Sequence, residues 1–236
     1  MKYILIACIL YSGLTGAQSH SELALAAYLQ NDLERWDEAI AATSTIADDE
    51  ERTVTSGIYH LTATYAAMAA ENEASLDRHM DALDEIIDEV WDITETNGVA
   101  HGLYSAYLGL KIARKPMTGM LYGSRAASYA EDAVDLAPDD PRALYYAASN
   151  LFYTPKTWGG DQEKAEAYLL KASRQYGDDA KNDFHYLETL ALLGQAQAAL
   201  GKTDAARATY ERALQLQPEF GYVKNRLLPS LENAEK

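Results

Sequence analysis

Seven residues between Leu187 and Pro218 constrain the fold of this chain more than any others. Leu190, Leu193, Gly194, Ala206, Tyr210, Ala213 and Pro218 fall at positions 4, 7, 8, 20, 24, 27 and 32 of a unit counted from Leu187. That is the spacing of two antiparallel helices that repeat as one building block. Gly194, Ala206 and Ala213 are small enough to let the helices approach closely, Leu190 and Leu193 face inward, and Tyr210 fills the space toward the next unit. Pro218 lacks the amide hydrogen that a further turn would use, so it ends the second helix. One such unit cannot bury its own apolar surface, and the spacing therefore implies a stack of them.

The remainder of the chain fits that stack. Its 236 residues hold 14 Gly and 6 Pro, Ala and Leu abound, and strong β-type alternation is hard to find. From Ala100, the residues Leu103, Ala106 and Leu110 mark a first helix; Ala126, Ala130, Ala133 and Pro138 mark its partner once about seven extra residues around Lys115 to Leu121 are allowed for. From Pro141, the residues Leu144, Ala147, Ala148 and Leu151 and then Ala165, Leu169 and Ala172 do the same, with extra residues Pro155 to Gly159. Both insertions fall in the turn between the helices of one pair, where added residues cost little and where a binding lip can form. Trp158 in the second insertion either tucks back on the pair or stands out from it. Gly159-Gly160 turns the chain into Asp161, a helix N-cap.

The N-terminal half is helical with a weaker signature. Glu22–Leu33 reads as an amphipathic helix followed by a partner through Trp36 and Ala39, and Asp48–Glu51 as a polar break. Two longer helices follow, Glu51–Ala70 and Glu73–Thr96, the second closed by Asn97-Gly98. The fold class expected is thus all-α, a right-handed superhelical solenoid of four to five antiparallel helix pairs plus a C-terminal cap helix. Degenerate repeats in residues 18–99 run on into residues 100–236 as one solenoid domain.

Residues 1–17 read as a signal peptide. Met1-Lys2 gives a basic start, Ile4 to Leu14 is an apolar run, and Thr15-Gly16-Ala17 is an A-x-A-like cleavage site that would leave Gln18 first. The run is shorter than the roughly 20 residues that span a bilayer, although retention as an anchor stays open. The expected destination is outside the cytoplasm, in the periplasm. Cleavage would also remove Cys8, the only cysteine, so stability has to come from packing.

Charge and side-chain chemistry narrow the function. Twenty Lys and Arg stand against 36 Asp and Glu, a net charge of -16, which disfavours nucleic acid and an anionic membrane surface as partners of the chain as a whole. His20, His60, His79, His101 and His185 are scattered, with no H-E-x-x-H, C-x-x-C or Gly-rich phosphate loop. Asp178, Asp179, Asn182 and Asp183 lack the spacing of a calcium loop and read as helix capping. No catalytic residue, metal site or cofactor is expected, and the chain does not read as an enzyme.

Residues 100–218 resemble the tetratricopeptide repeat (TPR) superfamily. With the leader and the P-x-x-x-G-G-D insertion, the chain is similar to exported bacterial TPR proteins, and more distantly to the T component of TRAP transporters. The resemblance implies partner binding on the concave face by positions 2, 5, 9, 12 and 13 of each first helix. These are His101, Tyr104, Leu108, Lys111 and Ile112; Arg142, Tyr145, Ser149, Phe152 and Tyr153; and Glu188, Ala191, Gln195, Ala198 and Ala199. They lack a Lys/Asn/Arg carboxylate clamp and offer an aromatic groove. The site expected is His101, Tyr104, Lys111, Arg142, Tyr145, Ser149, Phe152, Tyr153 and Trp158. The function expected is an exported scaffold holding another protein or peptide of the envelope; the alternative is a small-ligand-binding accessory of an envelope transport system.

Overall fold

The computed structural model describes residues 18–93 and 96–234; the leader expected at residues 1–17 lies outside them. Among the described residues there is no strand, and five antiparallel pairs follow one another. They are α1 (His20–Gln30) with α2 (Leu33–Ala42), α3 (Asp49–Ala69) with α4 (Glu73–Ile93), and α5 (Gly98–Arg114) with α6 (Gly119–Leu136). Then come α7 (Pro141–Tyr153) with α8 (Gln162–Gln175), and α9 (Phe184–Ala199) with α10 (Thr203–Leu216). A π-helical turn, Val223–Leu227, leads into a cap helix α11 (Leu228–Ala234).

Short polar side chains start these helices. Ser19 and Glu22 form a reciprocal capping box on α1, and Asp32, Asp48, Asn97, Asp140, Asp161 and Asp183 each accept an amide of the first turn that follows. Asn97 therefore opens α5 instead of closing α4, because its side-chain oxygen takes the amides of Val99 and Ala100. The first insertion is similarly absorbed into helix: Pro116–Thr118 form a 3-10 turn and α6 begins at Gly119. The second stays a loop, with Gly159 at φ 97° and Asp161 capping α8. In the last pair the small residue at position 8 has the role its spacing assigns, since a Cβ on Gly194 would lie 2.2 Å from the Tyr210 ring.

Two layers result. First helices of neighbouring pairs touch one another, α3 on α5, α5 on α7 and α7 on α9, while second helices pack on their own partner and on the next first helix. The first helices thus line the inner face of the solenoid. The array also meets itself: α1 packs against α9, four pairs further along the chain. Phe184, at the start of α9, joins the two ends. Its ring lies 5.5 Å from Tyr28, 5.4 Å from Trp36 and 5.8 Å from Tyr59, and Trp36 is fully buried.

Replacing Phe184 by Ala removes one ring from three aromatic contacts at once, so it should cost about 3–5 kcal/mol. Thermal unfolding should show the midpoint lowered by about 2–4 °C per kcal/mol. A change no larger than that of an exposed Phe-to-Ala substitution would mean that the ends are not held together through this ring.

Candidate functional site

The inner face is built of two kinds of residue. α5 begins, as α7 does, immediately after an Asx cap, and its pairing with α6 follows that start: the Ser105 hydroxyl donates to the Ala126 carbonyl at 2.7 Å. Counted from Gly98, Ser105 takes position 8, and the inward positions become Val99, Gly102, Ala106, Gly109 and Leu110. Of these, Val99, Gly102 and Leu110 are buried, Gly102 against Tyr146 of α7, whereas Ala106 and Gly109 are partly exposed and a Cβ on Gly109 would meet nothing within 4 Å. Tyr65 on α3, Tyr145 and Tyr153 on α7 and Tyr28 of α1 lie close enough to Glu188 of α9 to feel its charge, and Tyr222, before the cap, couples to Tyr28 and Tyr153; this group of side chains is the hollow.

Electrostatics tie these groups together. Burial, and after it the Glu188 carboxylate, pushes the hydroxyls of Tyr28, Tyr145 and Tyr146 well above the usual phenol range. Tyr153 is pushed up to about 12 by burial, then by Tyr222 and Glu188. Tyr65 is 44% exposed yet surrounded by protein low in the hollow, and burial, Tyr153 and Glu188 raise it too. Glu188 itself is only 13% exposed, with His185 Nδ1 3.3 Å away. The hollow thus presents ring faces, neutral hydroxyls and one shielded carboxylate. Tyr65, Tyr153 and Tyr222 are 44%, 65% and 43% exposed, so their rings are available to a partner.

The nine residues expected from the sequence are divided by the structure. Tyr145, Ser149 and Tyr153 share the inner face of α7, and Phe152 lies edge-on to Tyr153 at 4.9 Å while packing into the core under α8. His101 and Tyr104 point to α6 instead, His101 with Nδ1 3.7 Å from Asp132 and Tyr104 with its ring 4.4 Å from Tyr129. Lys111 reaches α4, 3.3 Å from Asp84. The physical reason is the earlier start of α5, two residues before the one that apolar spacing suggested. Trp158 stands out from the turn after α7, 65% exposed. Sequence reading missed Tyr28, Tyr65 and Tyr222, which sit outside recognisable repeats; the abundance of tyrosine was the only signal for them.

Arg142 lies at the far end of its helix, in a cleft of about 440 Å³ lined also by His20, Tyr59, Tyr176 and His185. Its guanidinium is already held there by Asp140 at 3.3 Å and Glu51 at 3.5 Å.

Folding also brings together two histidines that looked scattered. His60 Nδ1 and His79 Nδ1 are 3.1 Å apart between α3 and α4. Asp37 Oδ1 and Arg78 Nη2 lie 3.7 and 3.5 Å from His79 Nε2. Burial lowers both to about 4; His79 acts next on His60, and Arg78 on His79. No group of three or more metal-ligating side chains occurs among the described residues. Since the folded pKa values lie below the ordinary 6.5, the unfolded chain binds more protons between them. The pair's contribution to stability is complete above about 6.5 and is lost as pH drops toward 4. Denaturation midpoints of the wild type should fall through this window more steeply than those of His60→Gln, and parallel curves would show that the pair does not titrate with folding.

With this geometry in place, known proteins can be compared. Residues 187–220 match the tetratricopeptide repeat family. This supports the TPR superfamily for the array, and such helical repeats are scaffolds for protein interaction. A human relative, Protein O-mannosyl-transferase TMTC1, is 32% identical over 112 residues, 48% of this chain; the chain spans only 12% of that protein's length. Among solved structures, the HusA haemophore from Porphyromonas gingivalis shares the fold with a TM-score of 0.58 at 17% identity, over 76% of this chain and 92% of that one.

Proposed function

We propose that the chain is an exported TPR scaffold whose inner hollow binds an extended, positively charged segment of another envelope protein. The convergence of exposed tyrosines from α3, α7 and the approach to the cap around the shielded Glu188 carries this reading. Ring faces attract cations, a carboxylate among them adds a charge-assisted acceptor, and tyrosine supplies contact area at small entropic cost. The small floor of α5 leaves room for a peptide backbone. The net charge of -16 favours the same partner at longer range. Export rests on the signal-like leader, and fractionation of the host should recover a chain beginning at Gln18 outside the cytoplasm; a chain confined to the cytoplasm would rule export out.

Selection from a displayed library of extended peptides tests the hollow. Enriched sequences should carry Lys or Arg beside apolar residues, and Tyr65→Ala or Tyr153→Ala should each weaken their binding about tenfold or more. Glu188→Gln should reduce the preference for basic over neutral peptides. Selection of sequences indifferent to all three changes would remove the hollow as the site.

A second reading is a small-ligand-binding accessory of an envelope transport system. It is favoured by the same exposed rings, which suit a flat ringed molecule, and the likeness in fold to a protein described as a haemophore makes haem the first probe. Haem added to the purified chain should change its absorbance saturably, and Tyr153→Ala should abolish the change; a spectrum equal to that of free haem eliminates this reading for haem.

A further inference from the structure

The pairs stack in parallel, so the turns joining first to second helix all lie along one edge of the solenoid. Large apolar side chains are concentrated on two neighbouring turns of that edge. Met117, in the turn between α5 and α6, and Met120 and Leu121, in the first turn of α6, are 91%, 86% and 65% exposed, and Trp158, between α7 and α8, is 65% exposed. Nothing in the packing of either pair uses them, whereas apolar side chains elsewhere are largely buried. They are also carried on bends, with Pro116 and Pro155 fixing the turns and Gly159 in a left-handed conformation at φ 97°. These side chains therefore project as tips and do not line a groove.

These two turns are locally basic, although the same edge also carries Asp32, Glu71, Glu73 and Asp161. No Asp or Glu occurs in residues 96–130 or 154–160, although the chain carries 36 of them. The same stretches hold Lys111, Arg114, Lys115, Arg125 and Lys156. Arg114 lies 3.3 Å from Asp77 and Lys111 lies 3.3 Å from Asp84, which engages carboxylates on the flank of α4. Lys115 and Lys156 are exposed on the two turns beside the apolar tips.

We propose that this edge docks the protein on an anionic lipid surface, with Met117, Met120, Leu121 and Trp158 entering the interfacial layer and Lys115 and Lys156 meeting the head groups. Projecting, flexible thioethers and an isolated indole suit a fluid interface that can close around them, and Trp is at home at that depth. Exposed lysines beside them add attraction to anionic head groups within a Debye length. The helices stay outside the bilayer: none among the described residues is long and apolar enough to cross it.

Co-sedimentation of the chain, as its host processes it, with vesicles of mixed phosphatidylglycerol and phosphatidylcholine provides the test, with pure phosphatidylcholine vesicles for comparison. Binding should favour the anionic vesicles and weaken with salt. Changing Met117, Met120 and Leu121 together to Ser should reduce it at least about tenfold. Lys115→Glu with Lys156→Glu should remove the preference for anionic lipid. Of the three tryptophans Trp36 is fully buried, so in a Trp91→Phe background a blue shift of tryptophan emission on adding vesicles should disappear when Trp158→Phe is added. All these positions are exposed, so the variants should keep the circular dichroism of the parent. Any leader that remained would contribute equally to every variant. Absence of binding, equal binding to neutral vesicles, or binding unchanged by the edge variants would overturn the proposal. So would a serine variant whose effect is a changed oligomeric state in light scattering, which would make the edge a protein interface.

Discussion

The rest of this structure depends on the aromatic contact through which its two ends meet. A stack of helix pairs in which each touches only its neighbours has no intrinsic reason to fix the distance between first and last. Here Phe184 on α9 inserts among Tyr28, Trp36 and Tyr59, which come from α1, α2 and α3. Close-packed rings tolerate little displacement. The curvature of the inner layer is thereby fixed, and with it the spacing of the tyrosines that face one another across the hollow. Tyr28 belongs to both systems, since it touches Phe184 and Phe220 and is coupled electrostatically to Glu188 and Tyr153.

The hollow owes its character to a division between small and large residues. Ala106 and Gly109 keep the partly exposed face of α5 low, whereas α3 and α7 carry the rings Tyr65, Tyr145 and Tyr153. Tyrosine is suited to this place because its ring can be packed while its hydroxyl stays near water. Tyrosine hydroxyls are neutral at physiological pH even at the ordinary pKa of about 10, so the Glu188 carboxylate is the one acidic group that α9 presents.

An acidic repeat protein gains solubility from its charge and loses attraction to acidic surfaces. The two edge turns depart from that pattern in both polarity and sign, and no feature of the helix pairs requires them to. A loop can vary without disturbing the stack, so such departures are where a repeat scaffold can acquire a second contact.

The helix pairs were legible in the sequence because close helix approach demands small residues at fixed spacing, and Gly194, Ala206 and Ala213 announce it. Caps such as Asp161 and Asp183 were legible for the same local reason, and Tyr145, Ser149 and Tyr153 could be set on one face by helical periodicity alone. The start of α5 was not, because its apolar spacing admits two registers and the choice between them is made by Asn97 and by the Ser105 contact with α6. A shift of two residues on a helix rotates every side chain by more than half a turn, which carried His101, Tyr104 and Lys111 away from the inner face. The sequence by itself determined the building block, its antiparallel pairing and its stacking, all of which depend on residues near one another in the chain. Only the tertiary structure decided that α1 returns to α9 and that Tyr28, Tyr65, Tyr145 and Tyr153 come within reach of the Glu188 charge. Those relations join residues far apart in sequence, and they depend on the sum of small rotations between successive pairs, which no local spacing records.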